Sequence, residues 1–262
     1  MLNQQLIQNI IDIIHLAGDK IMDIYQQDFA IYEKSDESPL TEADLAAHNC
    51  IVEGLGKVSN FPILSEESAN ISWQERNSWD TYWLVDPLDG TKEFIKKNGE
   101  FTVNIALIKD GVPVFGVVYA PVLEHTYVGV LGRGAYKITA GVKADITPKA
   151  WTKGETWKIV GSRSHQSPEI QTLLDSLEGE TELIAMGSSL KLCLVAEGVA
   201  HLYPRLGPTC EWDTAAAQAV VEAAGGKVTI IEDATDALKA DAAPLRYNQK
   251  DPVLNPYFLV SC

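Results

Sequence analysis

Two acids three residues apart, Asp86 and Asp89, stand in the segment Trp83-Leu84-Val85-Asp86-Pro87-Leu88-Asp89-Gly90-Thr91, where an apolar run gives way to Gly-Thr. Pro87 fixes one backbone dihedral and Gly90 permits a tight turn, so both carboxylates can converge where a buried strand ends. Like charges held that close repel, and a bound cation offsets the repulsion; hard oxygen donors suit Mg²⁺. Backbone N–H groups at Gly90 and Thr91, at the start of a helix, would then receive an anion such as phosphate. An acidic turn closing a β-hairpin is the plainer reading of the same letters.

Three further acids raise the same question. Glu66 lies in Ser65-Glu66-Glu67-Ser68, directly after the apolar residues 61 to 64, and could be a ligand or part of a solvated turn. Asp213 lies in Cys210-Glu211-Trp212-Asp213-Thr214, ahead of an alanine-rich stretch, where it could equally be a plain helix N-cap. Asp44 closes Thr41-Glu42-Ala43-Asp44, which has the form of a capping box.

The elements that must bring these acids together can be read from periodicity. Leu6, Ile7, Ile10, Ile11, Ile14, Ala17, Ile21 and Tyr25 recur at three- and four-residue spacing, predicting a long amphipathic helix over 3 to 27. A second helix starts at Thr41 and ends near Gly54 or Gly56. Residues 61–65 and 82–85 read as short buried strands that run into Glu66 and Asp86. From Phe101 to about Tyr136, short β-rich runs broken by Asp110-Gly111, Pro121 and Gly132 predict an antiparallel meander. The polar stretch 141–158 reads as an irregular boundary between an N-terminal α+β half, 1–150, and a C-terminal α/β half, 151–262. The second half alternates strands at 158–160, 182–186, 200–203 and 227–231 with helices at 168–177, 188–197 and 214–224, which predicts layered α/β structure.

Composition bounds the partners. The 262 residues carry 21 Lys and Arg against 36 Asp and Glu, a formal net charge of −15, so the chain has no basic footprint for gripping a nucleic-acid polymer. A mononucleotide needs only a few local cations and remains compatible. Cys50, Cys193, Cys210 and Cys262 include no Cys-x-x-Cys pair, which argues against a zinc cluster or disulfide framework. No basic leader and no long apolar span is read at the N-terminus or elsewhere. The expectation is a cytoplasmic protein, and contact with the inner face of the cell membrane is the one membrane role left open.

Leu40-Thr41-x-Ala43-Asp44, Ser65-Glu66-Glu67, Trp83 to Phe94 and Trp212-Asp213-Thr214-Ala215-Ala216-Ala217 follow the order and spacing of the lithium-sensitive, Mg²⁺-dependent phosphatases of the inositol monophosphatase superfamily. The resemblance spans nearly the whole chain. Lys92-Glu93-Phe94-Ile95, Asn98 to Asn104, Gly187-Ser188-Ser189-Leu190-Lys191 and Tyr203-Pro204-Arg205 most resemble the bacterial 3′(2′),5′-bisphosphate nucleotidases of that superfamily. The fold so implied is a layered αβαβα sugar-phosphatase fold of α/β (α+β) class, with an antiparallel N-terminal sheet and a smaller mixed C-terminal sheet.

The resemblance further implies roles. Glu66, Asp86 and the Leu88 carbonyl oxygen would hold one Mg²⁺, Asp86, Asp89 and Asp213 a second, and a third is proposed in the family near Glu66. Asp44 and Thr91 would be the catalytic pair that orients and deprotonates water. The phosphate would meet Gly90 and Thr91, while His165, Ser188, Lys191 and Arg205 would hold the rest of a nucleotide beside Glu66 and Asp213. The substrate implied is adenosine 3′,5′-bisphosphate (PAP), cleaved to AMP and phosphate, with its phosphosulfate analogue PAPS also within reach. Cys210 and Glu211 depart from the small or neutral residues usual beside the Trp-Asp-Thr motif. The rival readings are an inositol monophosphatase or other sugar-phosphate phosphatase on the same metal site, a haloacid-dehalogenase-type phosphatase, and a non-catalytic Mg²⁺ or nucleotide sensor.

Overall fold

A computed structural model describes residues 2–27, 31–33, 39–161, 168–232 and 242–262. Helix α1, Gln4–Tyr25, is capped by the Asn3 side chain and puts Ile10, Ile14, Ala17 and Ile21 on one buried face. That face meets Ala43, Ala47, Ile51 and Leu55 of α2, Glu42–Val58, which repeat every four residues. Between the two helices β1, Ile31–Glu33, pairs antiparallel with β2, Pro39–Thr41.

The larger sheet takes its strands in chain order: β3 (Ile63–Ser65), β4 (Thr81–Asp89), β5 (Thr102–Lys109), β6 (Val112–Ala120), β7 (His125–Val130), β8 (Gly134–Thr139) and β9 (Val142–Ile146). All pairs are antiparallel except β3 with β4, which run parallel. The first sheet is thus antiparallel, as expected, apart from the parallel pair at one edge. After β3 the chain crosses back through a 3-10 turn, Glu66–Ser68, and helix α3, Trp73–Arg76, before re-entering the sheet from the same end. The stretch 141–158 is also less irregular than its polarity suggested, because β9 lies within it as a largely exposed edge strand.

Both faces of this sheet are covered, and strand alternation sorts the side chains between them. Trp83, Val85, Val103, Ile105 and Leu107 pack with α1 and α2, while Tyr82, Leu84, Ala106 and Ile108 point to the opposite side. There they meet α6, Leu190–Ala196, and α7, Glu211–Ala224. Helix α7 lies very close to the sheet because the register aligns Ala106, Gly116, Gly129 and Ala135 across four strands. A Cβ on Gly116 would fall on the Ala216 carbonyl oxygen, and one on Gly129 on the backbone of Ala219 and Val220.

The second sheet is mixed, in the order β11 (Thr181–Ala185), β10 (Trp157–Gly161), β12 (Leu202–Arg205), β14 (Phe258–Ser261), β13 (Lys227–Ile230). Val160, Val228, Phe258 and Val260 face α6 and α7, and Ile159, Leu202 and Leu259 face helix α5, Pro168–Ser176. The layers therefore run α1/α2, first sheet, α6/α7, second sheet, α5: the αβαβα arrangement. Helix α7 starts at Glu211, three residues before the expected Thr214, and β14 fills a place between β12 and β13 that periodicity did not mark. No helix among the described residues is long and apolar enough to cross a membrane.

Candidate active site

Three elements deliver carboxylates to one end of the first sheet. Because β3 runs parallel to β4, Glu66 follows β3 at the end of the sheet where β4 carries the buried Asp86. In a regular strand Asp86 and Asp89 would point to opposite faces. The ladder with β5 pairs Asp86 with Asn104 but Asp89 with Thr102, so β4 carries one extra residue between them. That bulge turns Asp89 to the α7 side, the side that Tyr82, Leu84 and Asp86 already face. Asp86 caps the bulge by accepting the Leu88 N–H at 3.0 Å.

Asp213 arrives from the far half of the chain. It is the third residue of α7 rather than its N-cap, and its Oδ2 accepts the Cys210 N–H at 2.9 Å. Glu66, Asp86 and Asp213 each offer an oxygen, and these atoms lie within 4.8 Å of one another. Asp89 lines the same cleft without joining this trio. Burial first, then the neighbouring acids, push both the Asp86 and the Asp213 carboxyl well above the ordinary carboxylate range. Oxygen-only donors, buried and mutually repelling, fit a hard divalent cation and disfavour softer metals.

The cleft has a volume of about 460 Å³, and its walls include Leu88, Gly90, Thr91 and Lys92 on one side and Pro208, Thr209, Cys210 and Leu254 on the other. Gly90 has φ +92°, a left-handed conformation suited to glycine, and ends β4 just before the short helix α4, Thr91–Ile95. The Thr91 hydroxyl donates to Oδ1 of Asp44 at 3.3 Å, and Leu88 O lies 3.4 Å away as a second acceptor. Oδ2 of Asp44 accepts from Thr41 N and Oγ1, so the capping box is real and the same carboxylate also reaches Thr91.

Ser188, Lys191 and Arg205 do not line this cleft but gather beside it. Ser188 has a left-handed φ of 47° and its Cβ lies 3.3 Å from the Cβ position of Gly90. Lys191 Nζ donates to Ser188 O at 2.7 Å and lies 5.7 Å from the Tyr203 ring centroid. Burial, opposed by Asp89, lowers the Lys191 amine below its ordinary value. Arg205 donates to Pro208 O at 2.8 Å, and its Nε is buried without a partner among the described residues. His165 lies outside the described residues. Sequence reasoning gave no role to Lys92, Pro208, Thr209 or Leu254, nor to Ser189 and Asn104, which bond one another behind Asp89. Lys92, Asn104 and Ser189 stand in motifs that carry the resemblance, whereas Pro208, Thr209 and Leu254 are marked by tertiary contact alone.

Residues 2–256 match the inositol monophosphatase family. The chain is 46% identical over 259 residues to a 3′(2′),5′-bisphosphate nucleotidase CysQ of Salmonella typhimurium strain LT2, covering 98% of this chain and 99% of the relative. It is 48% identical to the protein of the same name in Escherichia coli strain K12, over 94% of this chain and 95% of that one. Among solved structures, CysQ of Bacteroides thetaiotaomicron, described as a bacterial member of the inositol monophosphatase family, superposes with a TM-score of 0.83 at 45% identity, covering 97% and 96% of the two chains.

Proposed function

The chain belongs to the inositol monophosphatase family, and from that premise we propose that it is a Mg²⁺-dependent 3′(2′),5′-bisphosphate nucleotidase that converts adenosine 3′,5′-bisphosphate to AMP and phosphate. The observation that carries this reading is the meeting of the Glu66, Asp86 and Asp213 oxygens with the Thr91–Asp44 hydrogen bond at one sheet end. Glu66, Asp86 and the Leu88 carbonyl oxygen would hold one Mg²⁺ and Asp86, Asp89 and Asp213 a second. Bound there, Mg²⁺ supplies Lewis acidity to the phosphoryl group and acidifies water.

The chain's own residues do the rest. Asp44 accepts the Thr91 proton, so the Thr91 oxygen presents a lone pair to water and fixes the line of attack on phosphorus. The Gly90 and Thr91 amides, held by the left-handed turn, receive the phosphate oxygens. Lys191 and Arg205 supply positive charge to the phosphate that is bound but not cleaved.

The test is phosphate release in Mg²⁺, with adenosine 3′,5′-bisphosphate and inositol 1-phosphate at equal concentration and Asp89→Asn as control. Strong preference for the nucleotide, abolished in the variant, is expected. Preference for inositol 1-phosphate would overturn the substrate while keeping the metal chemistry, and no release from either would overturn the enzyme reading.

A further inference from the structure

Ser189 stands at the N-cap position of α6, where its side chain makes no cap hydrogen bond, and is almost wholly buried, at 1% exposure. Its hydroxyl touches three other elements. Oγ lies 2.6 Å from Oδ2 of Asp89 at the end of β4, 2.7 Å from the carbonyl oxygen of Asp213 in α7, and 2.8 Å from Nδ2 of Asn104 in β5. Asn104 is itself the cross-strand partner of Asp86. One side chain thus joins both halves of the chain at the level of the carboxylates.

A hydroxyl has one proton to give and two lone pairs to offer. Two of the three neighbours, the carboxylate and the carbonyl, only accept. The proton must therefore lie toward one of them, and the charged, closer Asp89 oxygen is the stronger acceptor. That assignment needs Asn104 to donate. Were the amide turned round, three acceptors would surround that one proton, leaving two close oxygen–oxygen contacts without a hydrogen rather than the one to the Asp213 carbonyl. The orientation with Nδ2 toward Ser189 leaves Asn104 Oδ1 buried and without a partner among the described residues. A buried amide with an unmet carbonyl is a poor stabilising device, which points to a demand for its N–H.

We infer that Ser189, oriented by Asn104, is a positioning residue for Asp89: it engages Oδ2 and thereby aims the remaining oxygen into the metal cleft. This rests on the reading of the cleft as a Mg²⁺ site. Asp89 stands outside the tight trio of Glu66, Asp86 and Asp213, and the Ser189 hydroxyl lies against its Oδ2. The bulge in β4 brings Asp89 to the correct face, and Ser189 selects which oxygen remains available.

The experiment is isothermal titration of Mg²⁺ alone into wild type, Ser189→Ala, Asn104→Ala and the double variant, with Mg²⁺-free thermal unfolding in parallel. Ser189→Ala is expected to weaken the Mg²⁺ dissociation constant about tenfold, as loss of a ligand-orienting partner does. Asn104→Ala, which removes an amide whose oxygen is already unmet, should weaken it in the same direction but less, and should add nothing in the Ser189→Ala background. Mg²⁺ binding unchanged in both single variants would overturn the inference, as would a loss of fold in both, which would make the pair a stability element. If wild type itself bound no Mg²⁺, the reading of the site would fall instead, and the two failures are told apart by that first titration.

Discussion

Asp44 and Thr91, 47 residues apart in the chain, meet through a 3.3 Å hydrogen bond from the Thr91 hydroxyl to Oδ1, while Oδ2 of the same carboxylate holds Thr41 at the start of α2. A helix cap and the proposed catalytic contact are here one group. The rigidity that α2 gains from its cap is passed to the Thr91 oxygen, so its aim does not depend on a mobile side chain.

The two functions separate in variants. Thr91→Ala is expected to lower kcat by about 10²- to 10⁴-fold with little change in KM, since an oriented proton acceptor acts mainly in the transition state. Asp44→Ala should lower kcat likewise and also cost about 1–3 kcal/mol of stability, because the buried Thr41 N–H loses its acceptor. Steady-state kinetics with urea unfolding of both proteins checks this; equal stability of the two variants would contradict it.

Burial and mutual repulsion raise the Asp86 and Asp213 carboxyls above their ordinary value of 3.8. The fold therefore binds their protons more tightly than the unfolded chain does. Without metal, the contribution of these two groups to stability is fully present below about pH 4 and is lost as pH rises through the raised folded values. With Mg²⁺ the trend reverses, because binding requires ionised carboxylates. Unfolding temperatures measured from about pH 5 to about pH 8, with chelator and with Mg²⁺, should diverge as pH rises.

The same repulsion predicts that Asp86→Asn makes the metal-free protein more stable while removing the stabilisation that Mg²⁺ confers. Asn keeps the oxygen that accepts the Leu88 N–H. In wild type, Mg²⁺ at a hundred times its dissociation constant should add about 2.7 kcal/mol. Calorimetric scans of both proteins with and without Mg²⁺ read the two effects directly.

Lys191→Ala is expected to raise KM for adenosine 3′,5′-bisphosphate by about 10- to 100-fold, the worth of a charged hydrogen bond, with kcat little changed. Adenosine 3′-monophosphate, which lacks the second phosphate, should show a much smaller rise. Equal rises for both would place Lys191 against the base or ribose instead.

Gly116→Ala is expected to destabilise the protein by at least about 1–3 kcal/mol and to weaken Mg²⁺ binding, although Gly116 touches no proposed ligand. Its new Cβ would push on the Ala216 carbonyl and move α7, which carries Asp213 one turn away. Unfolding and Mg²⁺ titration of one variant check both parts.

Much of the fold is legible in local pattern. The Ile10-Ile14-Ala17-Ile21 face, the Thr41–Asp44 box and the alternation of strand and helix after residue 157 each report a buried face or a helix end, which a few neighbouring residues suffice to encode. The acids Glu66 and Asp86 are legible too, because each directly follows an apolar run, although β4 continues past Asp86 to Asp89. Edge strand β9 is not, since it is largely exposed and carries no apolar period. Neither is β14, a short run whose place between β12 and β13 depends on partners far away in the chain.

By itself the sequence determined which residues bear charge, which faces must be buried, and that several carboxylates sit at the ends of elements. Tertiary structure alone decided that Asp89 shares a face with Asp86, since a bulge exists only relative to the strand it pairs with. It likewise decided that α7 comes close enough for Asp213 to join Glu66 and Asp86, through Gly116 and Gly129 on strands more than eighty residues upstream. The choice of oxygen on Asp89 fell to Ser189, 100 residues away. Such contacts arise only when separate elements pack, because a hydrogen bond of under 3 Å depends on the position of both partners and a local pattern records only one.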